Sequence, residues 1–320
     1  MINSTMSLAL PAGRRACLSI LIWHRVLADP DPLFPEEMHA RRFTQTLAWL
    51  KQHFNVLPLT QAVSMLAQGS LPSRALAITF DDGYADNLHI AAPILQKHGL
   101  SATFFVATGF LDGGRMWNDT VIEAVRHWRG ETLDAGELGC FKITDDASRR
   151  SAIDGLLAAI KYLGFDERDK VVKSLAERCE LPSRANLMMT SDEVRALADS
   201  GQIIGAHTRF HPILARIDAA QAQSEIEDGK RELEAIVRKP VDLFAYPNGR
   251  PQQDYRAEHV EMVKAAGFAA AVSTAAGVSR IHDDVFQLRR FSPWDRSRAA
   301  FIARMVLNAV QQPKTSLLAK

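Results

Sequence analysis

The sequence predicts an α/β protein, a parallel sheet with helical crossovers closed into a barrel. Two observations carry this. About eight short apolar runs alternate with amphipathic segments along the chain, the mark of repeated strand–helix units. Polar residues then stand at the C-terminal ends of different runs: His24, Asp81 with Asp82, His207, Tyr246 and Arg290. An open sheet concentrates such residues at one switch point, whereas a barrel gathers strand ends from the whole chain around one mouth.

With 320 residues, 47% hydrophobic and 23% charged, the chain has ordinary globular composition and enough length to bury a sizeable core. The net charge of +1 is scattered, which gives no footprint for nucleic acid or an anionic membrane. Cys17, Cys140 and Cys179 are odd in number and in no metal spacing, so a reducing, cytoplasmic setting is expected. Arg14-Arg15 follows the first apolar patch and the second patch has about eight residues, which does not match a signal peptide; no run approaches the roughly 20 apolar residues of a membrane span.

In order, Cys17–Trp23 is a buried strand ending at His24, and Arg42–Phe54 is a surface helix on the spacing of Phe43, Leu47, Leu50 and Phe54. A short extended piece, 56–59, leads to a helix stopped at Gly69, then to the strand Leu76–Phe80. Ala91–His98 is a helix ended by Gly99, and Ser101–Val106 a strand. From about 110 to 190 strands are scarce, so this stretch is expected to be a helical insertion in a single domain spanning 1–320. Alternation resumes with a capping box at Thr190–Glu193, the strand 203–206, the helix Ala219–Val237 and the strand Val241–Tyr246. The helix His259–Ala266, strands Phe268–Val272 and Val285–Leu288, and a last helix at about 296–312 complete the chain.

The strand at 76–80 delivers Asp81-Asp82 and turns at Gly83. Adjacent carboxylates disfavour each other's ionisation unless a cation, a hydrogen-bond network or water takes up the charge; an ordinary Asp–Gly turn is the competing reading. His207 and His211 stand four apart, and Pro212 biases His211 away from helical geometry, so a loop brings the rings together. Two loop histidines with no shared role would look the same. Two neutral histidines and one carboxylate make a three-ligand metal site with positions open for water and substrate, and a second carboxylate beside it can act as base.

Thr79-Phe80-Asp81-Asp82-Gly83 with His207-Thr208-x-x-His211, Ile204-Gly205-Ala206 and Phe244–Gly249 resembles the polysaccharide deacetylase (NodB homology) family, carbohydrate esterase family four. The resemblance implies a distorted (β/α) barrel of the NodB-homology type and metal-dependent hydrolysis of an acetamide on an amino sugar. By position it makes Asp81 the general base, gives the metal to Asp82, His207 and His211, and assigns an oxyanion contact to the Tyr84 backbone N–H. Two features depart from the family. Ala245 stands where many members carry an arginine, and Arg290 would supply that guanidinium from another strand unless it is a plain surface arginine. The usual C-terminal Leu-x-His is absent, while Trp23-His24-Arg25-Val26 resembles the N-terminal element of the biofilm poly-N-acetylglucosamine deacetylases, which would make His24 the acid; a hydrogen-bonded core histidine is the alternative. Tyr246, Trp117 and Trp294 are candidates for stacking on sugar.

The expected function is therefore metal-dependent deacetylation of an N-acetylated saccharide, with zinc first among zinc, iron, cobalt and nickel. A small-molecule amide hydrolase and a catalytically silent carbohydrate-binding relative are the rivals.

Overall fold

Alternate residues along each strand face two different cores, and this parity places the site. The computed structural model describes residues 2–182, 186–311 and 316–318. Helix α1 (Ile2–Ala9) precedes β1 (Cys17–Trp23), α2 (Ala40–His53), β2 (Asn55–Val56), α3 (Leu59–Gln68), β3 (Ala75–Phe80), α4 (Ala92–His98) and β4 (Thr103–Val106). After β4 come α5 (Trp117–His127), a hairpin of β5 (Thr132–Asp134) and β6 (Cys140–Lys142), α6 (Asp146–Ile160) and α7 (Phe165–Arg178). The chain then runs through α8 (Ser191–Asp199), β7 (Ile203–Ala206), α9 (Ala219–Val237), β8 (Leu243–Ala245), α10 (Ala257–Ala265), β9 (Ala270–Val272), β10 (Ser279–Arg280) and α11 (Arg298–Val310). Among the described residues, no helix is long and apolar enough to cross a membrane.

Strands β1, β3, β4, β7, β8 and β9 are parallel neighbours in that order, and β10 adds antiparallel to the start of β1. The sheet curls until its edges meet through one extended segment, 288–291. Leu288 N–H donates to Ala271 O at 2.9 Å, Ser273 N–H to Leu288 O at 2.8 Å, Phe291 N–H to Ile20 O at 3.1 Å and Ile22 N–H to Phe291 O at 3.2 Å. The strand expected at Val285–Leu288 is instead a 3-10 turn, Val285–Gln287, because the Asp284 side chain caps it by accepting the Phe286 N–H. The extended stave begins only after that turn.

Leu18, Ile20, Ala75, Ala77, Phe105, Leu243, Ala245 and Leu288 fill the inside of the barrel, with Leu59, Ala62 and Leu66 of α3 closing the end where the strands begin. The intervening residues, among them Leu21, Trp23, Ile78, Phe80, Val106 and Tyr246, pack outward under the helices. The same period of two carries His24, Asp81, His207 and Arg290 on the inward parity at the opposite end. Between β4 and α8, helices α5, α6 and α7 share a separate apolar cluster with Leu133 and Ile143 from the β5–β6 hairpin. That hairpin lies in the stretch read from the sequence as a helical insertion with few strands; its three-residue strands present little apolar pattern.

β3 ends in a turn that few residues tolerate. Asp82 has φ 76° and Gly83 φ 93°, and a Cβ at Gly83 would lie 2.9 Å from Val106 Cγ1. Asp81 N–H donates to Trp23 O at 2.9 Å and Ala107 N–H to Asp82 O at 3.2 Å, so both neighbouring strands hold the turn. Gly83→Ala is therefore expected to lower the unfolding free energy by about 2 kcal/mol or more, from strained φ and overpacking together. Denaturant titration checks this, and a variant as stable as the parent would show that the turn relaxes freely.

Candidate functional site

His207 follows directly on β7 and donates from Nδ1 to the Ala245 carbonyl at 2.7 Å. That bond fixes the tautomer and leaves the Nε2 lone pair free to ligate. Nε2 stands 3.6 Å from Asp82 Oδ1, and His211 Nε2 reaches the same oxygen at 3.6 Å. The two rings meet edge to face with centroids 4.6 Å apart, and one donor atom from each of Asp82, His207 and His211 lies within 4.8 Å of the others.

The loop between the histidines is held in a costly shape. Thr208 and His211 have φ of 61° and 51°. Thr208 Oγ1 accepts the His211 N–H at 3.0 Å, while Glu225 on α9 accepts the N–H groups of Arg209 and Phe210 at 2.9 and 2.7 Å. The loop also lies against Gly229, where a Cβ would come 2.8 Å from the Thr208 carbonyl carbon. Sequence reasoning missed Glu225; its signal was a carboxylate beside Ala222 and Ile226 on the buried face of α9.

These residues fit a divalent cation. Asp82 Oδ1 is buried and has no hydrogen-bond partner among the described residues, although it faces two imidazole nitrogens. Donor atoms 3.6 Å apart suit ligands about 2.0–2.2 Å from one centre. Burial raises the Asp82 pKa despite the opposing pull of His24 and His207. Burial and the neighbouring His207 hold His211 well below the ordinary imidazole value, in the neutral form that ligates.

Asp81 faces the other way. Its Oδ1 and Oδ2 accept from Arg290 Nη1 and Nη2 at 2.6 and 2.8 Å, a bidentate pair in which both residues are almost fully buried. Arg290 also donates to Ser273 O at 3.1 Å and Thr79 Oγ1 at 3.2 Å. Burial works against the Asp81 carboxylate, but Arg290 and then His207 outweigh it and bring its pKa to about 2. Arg290 is thus no surface arginine.

His24 is exposed at the mouth and lines one cavity of about 390 Å³ with Asp81, Asp82, His207 and His211; it is not a core histidine. Trp117 borders the same cavity. Tyr246, expected as a stacking candidate, is fully buried and stacked on Tyr255 with centroids 3.9 Å apart. It sits on the outward parity next to inward Ala245, so it cannot meet a sugar. Trp294 is half exposed but borders a neighbouring cavity, with Arg25 and Asp119. Tyr84, after the turn, donates its hydroxyl to Asp119 Oδ1 at 3.2 Å beneath the Arg25 guanidinium. Asp119 stands two residues after Trp117, in the first turn of α5.

The profile of the family described as polysaccharide deacetylase matches residues 68–132 and 159–271. YxkH of Bacillus subtilis (strain 168), provisionally named a polysaccharide deacetylase, is 22% identical over 277 residues, which cover 86% of this chain and 71% of YxkH. Among solved structures, the Streptococcus pyogenes deacetylase PplD in complex with acetate superposes with a TM-score of 0.61 at 18% identity, over 91% of this chain and 98% of PplD. IcaB from Ammonifex degensii superposes with a TM-score of 0.59 at 19% identity, over 93% and 98%. At these identities the structural likeness speaks for the fold, and it is the distorted (β/α) barrel that the motifs implied.

Burial first, then the charges of Asp82 and Glu123, push Asp119 up to about 7 against the opposing pull of Arg25 and Tyr84. A carboxyl raised in the folded state stabilises below its unfolded pKa, and that contribution is lost as pH rises through the folded one. Asp119→Asn is thus expected to be more stable than the parent at about pH 8, with the difference gone below about pH 4. Thermal unfolding of the metal-free proteins at both pH values checks the sign, and an equal difference at both would remove the titration.

Proposed function

The chain belongs to the polysaccharide deacetylase family, whose profile matches more than half of its length, and on that premise we propose that it hydrolyses the acetamide of an N-acetylated amino sugar with a divalent metal held by Asp82, His207 and His211. The observation that carries this is the convergence of those three donors beside an arginine-paired Asp81 at one barrel mouth. Two imidazoles and a carboxylate suit zinc, and also iron, cobalt or nickel. When bound, such an ion acidifies water and polarises the acetyl carbonyl.

The chain's own residues do the rest. Asp81, kept ionised by Arg290, accepts a proton from the attacking water. The Tyr84 backbone N–H donates to the oxygen that gains negative charge. His24 gives its proton to the nitrogen as the C–N bond breaks, so acetate leaves from a free amine. A small-molecule amide hydrolase working through the same residues is the second reading, favoured by the insertion's share in the site: Leu157, Ala158 and Lys161 line the same cavity as Asp81 and His207. Acetate release from N-acetylglucosamine oligomers, abolished by a chelator, tests the proposal; release only from non-sugar amides would favour the second reading.

His211→Ala is expected to stay folded but lose tight metal binding by elemental analysis. Asp81→Asn should keep the metal and lose roughly 10²-fold or more in turnover, the usual worth of a positioned base. Metal retained in the first would remove His211 from the ligand set, and metal lost in the second would make Asp81 a ligand, its role exchanged or shared with Asp82.

His24→Ala should depress turnover on the amide far more than substrate binding, because proton donation matters only as the bond breaks. An activated aryl acetate needs no proton on departure and should be cleaved at a near-normal rate. Equal loss on both substrates would mean that His24 only positions other groups.

A further inference from the structure

The two histidines of the metal site are placed by different means. His207 has its second ring nitrogen fixed on the Ala245 carbonyl at 2.7 Å. His211 has no such anchor: its Nδ1 is buried without a hydrogen-bond partner among the described residues. A metal-ligating imidazole usually donates from the nitrogen that faces away from the ion, and that bond sets the direction of the ring. The His211 ring is aimed instead by the backbone that carries it, together with its edge-to-face contact on His207, centroids 4.6 Å apart.

That backbone needs support. Thr208 and His211 lie in the left-handed region, at φ 61° and 51°, a conformation that residues other than glycine keep only where the surroundings over-determine it. One face of α9 supplies this through Glu225, Gly229 and Glu232, spaced four and three apart and so stacked along the helix. At Gly229 the helix has no side chain, and a Cβ there would meet the Thr208 carbonyl group at 2.8 Å. One turn earlier, Glu225 Oε2 accepts two successive N–H groups of the loop, Arg209 at 2.9 Å and Phe210 at 2.7 Å. Glu232 pairs with the Arg209 guanidinium at 2.9 Å and accepts the Thr108 hydroxyl. Consecutive N–H groups turned toward one oxygen form an anion-binding concavity, filled here by the chain's own carboxylate. Of the three helix positions, Glu225 is the one whose bonds end one residue short of His211.

Resting on the metal site of the reading above, we infer that Glu225 is a positioning residue that sets the affinity for the cation, by holding the 208–211 backbone in the shape that brings His211 Nε2 to Asp82. Its bonds go to backbone N–H groups and to none of the three donors. Asp82 is held through its carbonyl by the Ala107 N–H and His207 by the Ala245 carbonyl, so the effect of Glu225 passes through His211.

The experiment is a double-mutant cycle read as zinc affinity, measured by competition with a chromophoric chelator on the full chain stripped of metal. Glu225→Ala should weaken zinc binding about ten- to a hundredfold, the usual worth of an outer-shell partner. Made in His211→Ala, the same change should alter the remaining affinity by less than about threefold, since the imidazole it aims is gone. Glu225→Gln keeps an acceptor oxygen at the same reach and should bind within about fivefold of the parent, which separates positioning from loss of charge. Glu225→Asp withdraws the carboxylate by one methylene; it should weaken binding in the same direction, and it takes the place of Glu225→Ala if that variant does not fold. Parent-like affinity in folded Glu225→Ala, equal losses in the Gln and Ala variants, or an equal loss with and without His211 would overturn the inference and leave the metal site standing. Failure of the parent to bind zinc would overturn the metal site and this inference with it.

Discussion

One buried ion pair closes the barrel and keeps the Asp81 carboxylate ionised. Arg290 and Asp81 are 209 positions apart and meet almost without solvent. The stave that carries Arg290 meets β9 and β1 through one bridge each, against six residue pairs between β1 and β3, so side-chain bonds matter more there. The guanidinium ties that stave to β3 through Asp81 and Thr79 and to the segment after β9 through Ser273, while the Thr79 hydroxyl donates to Leu21 O of β1 at 2.8 Å. Removing one partner of such a pair leaves an uncompensated buried charge, a loss of roughly 3–5 kcal/mol. Barrel closure and the charge state of Asp81 thus share one interaction.

The same pair separates two adjacent carboxylates that would otherwise compete. Asp81 points at a guanidinium and is ionised with a pKa of about 2, whereas burial raises Asp82, which points at imidazole nitrogens. Environments that push neighbouring groups apart divide their tasks. A carboxylate held this low is a weak base, so the proposed division of roles needs a more acidic water, which a cation held by Asp82, His207 and His211 would supply. Asp81 Oδ2 lies 3.7 Å from His207 Nε2, and Asp82 Oδ1 lies 3.6 Å from it, so one imidazole stands beside both carboxylates.

Much of this was legible because it rests on short-range pattern. Apolar runs marked the strands, Gly69 and Gly99 marked helix ends, and the Asp-Asp-Gly and His-x-x-x-His spacings singled out the residues that converge. Parity was legible too, and ignoring it led to the wrong expectation for Tyr246: Ala245 is inward, so its neighbour is outward. Other features depend on partners far along the chain. The turn at 285–287 is decided by an Asp284 cap, the strand at 279–280 by the start of β1, and the β5–β6 hairpin by the three helices it packs against. Glu225 looked like any surface acid until the His207–His211 loop was folded over it.

The departure at Ala245 follows from closure. Positions at the mouth are reached from any stave of a ring, so a guanidinium can come from the closing segment as well as from β8. Ala245 keeps a task that no side chain is needed for, since its carbonyl orients His207. A small residue there leaves room inside the barrel for Arg290, which crosses over the Phe105 ring at 5.5 Å to reach Asp81. An arginine at both positions would bury a second cation beside one carboxylate, a cost that desolvation makes prohibitive.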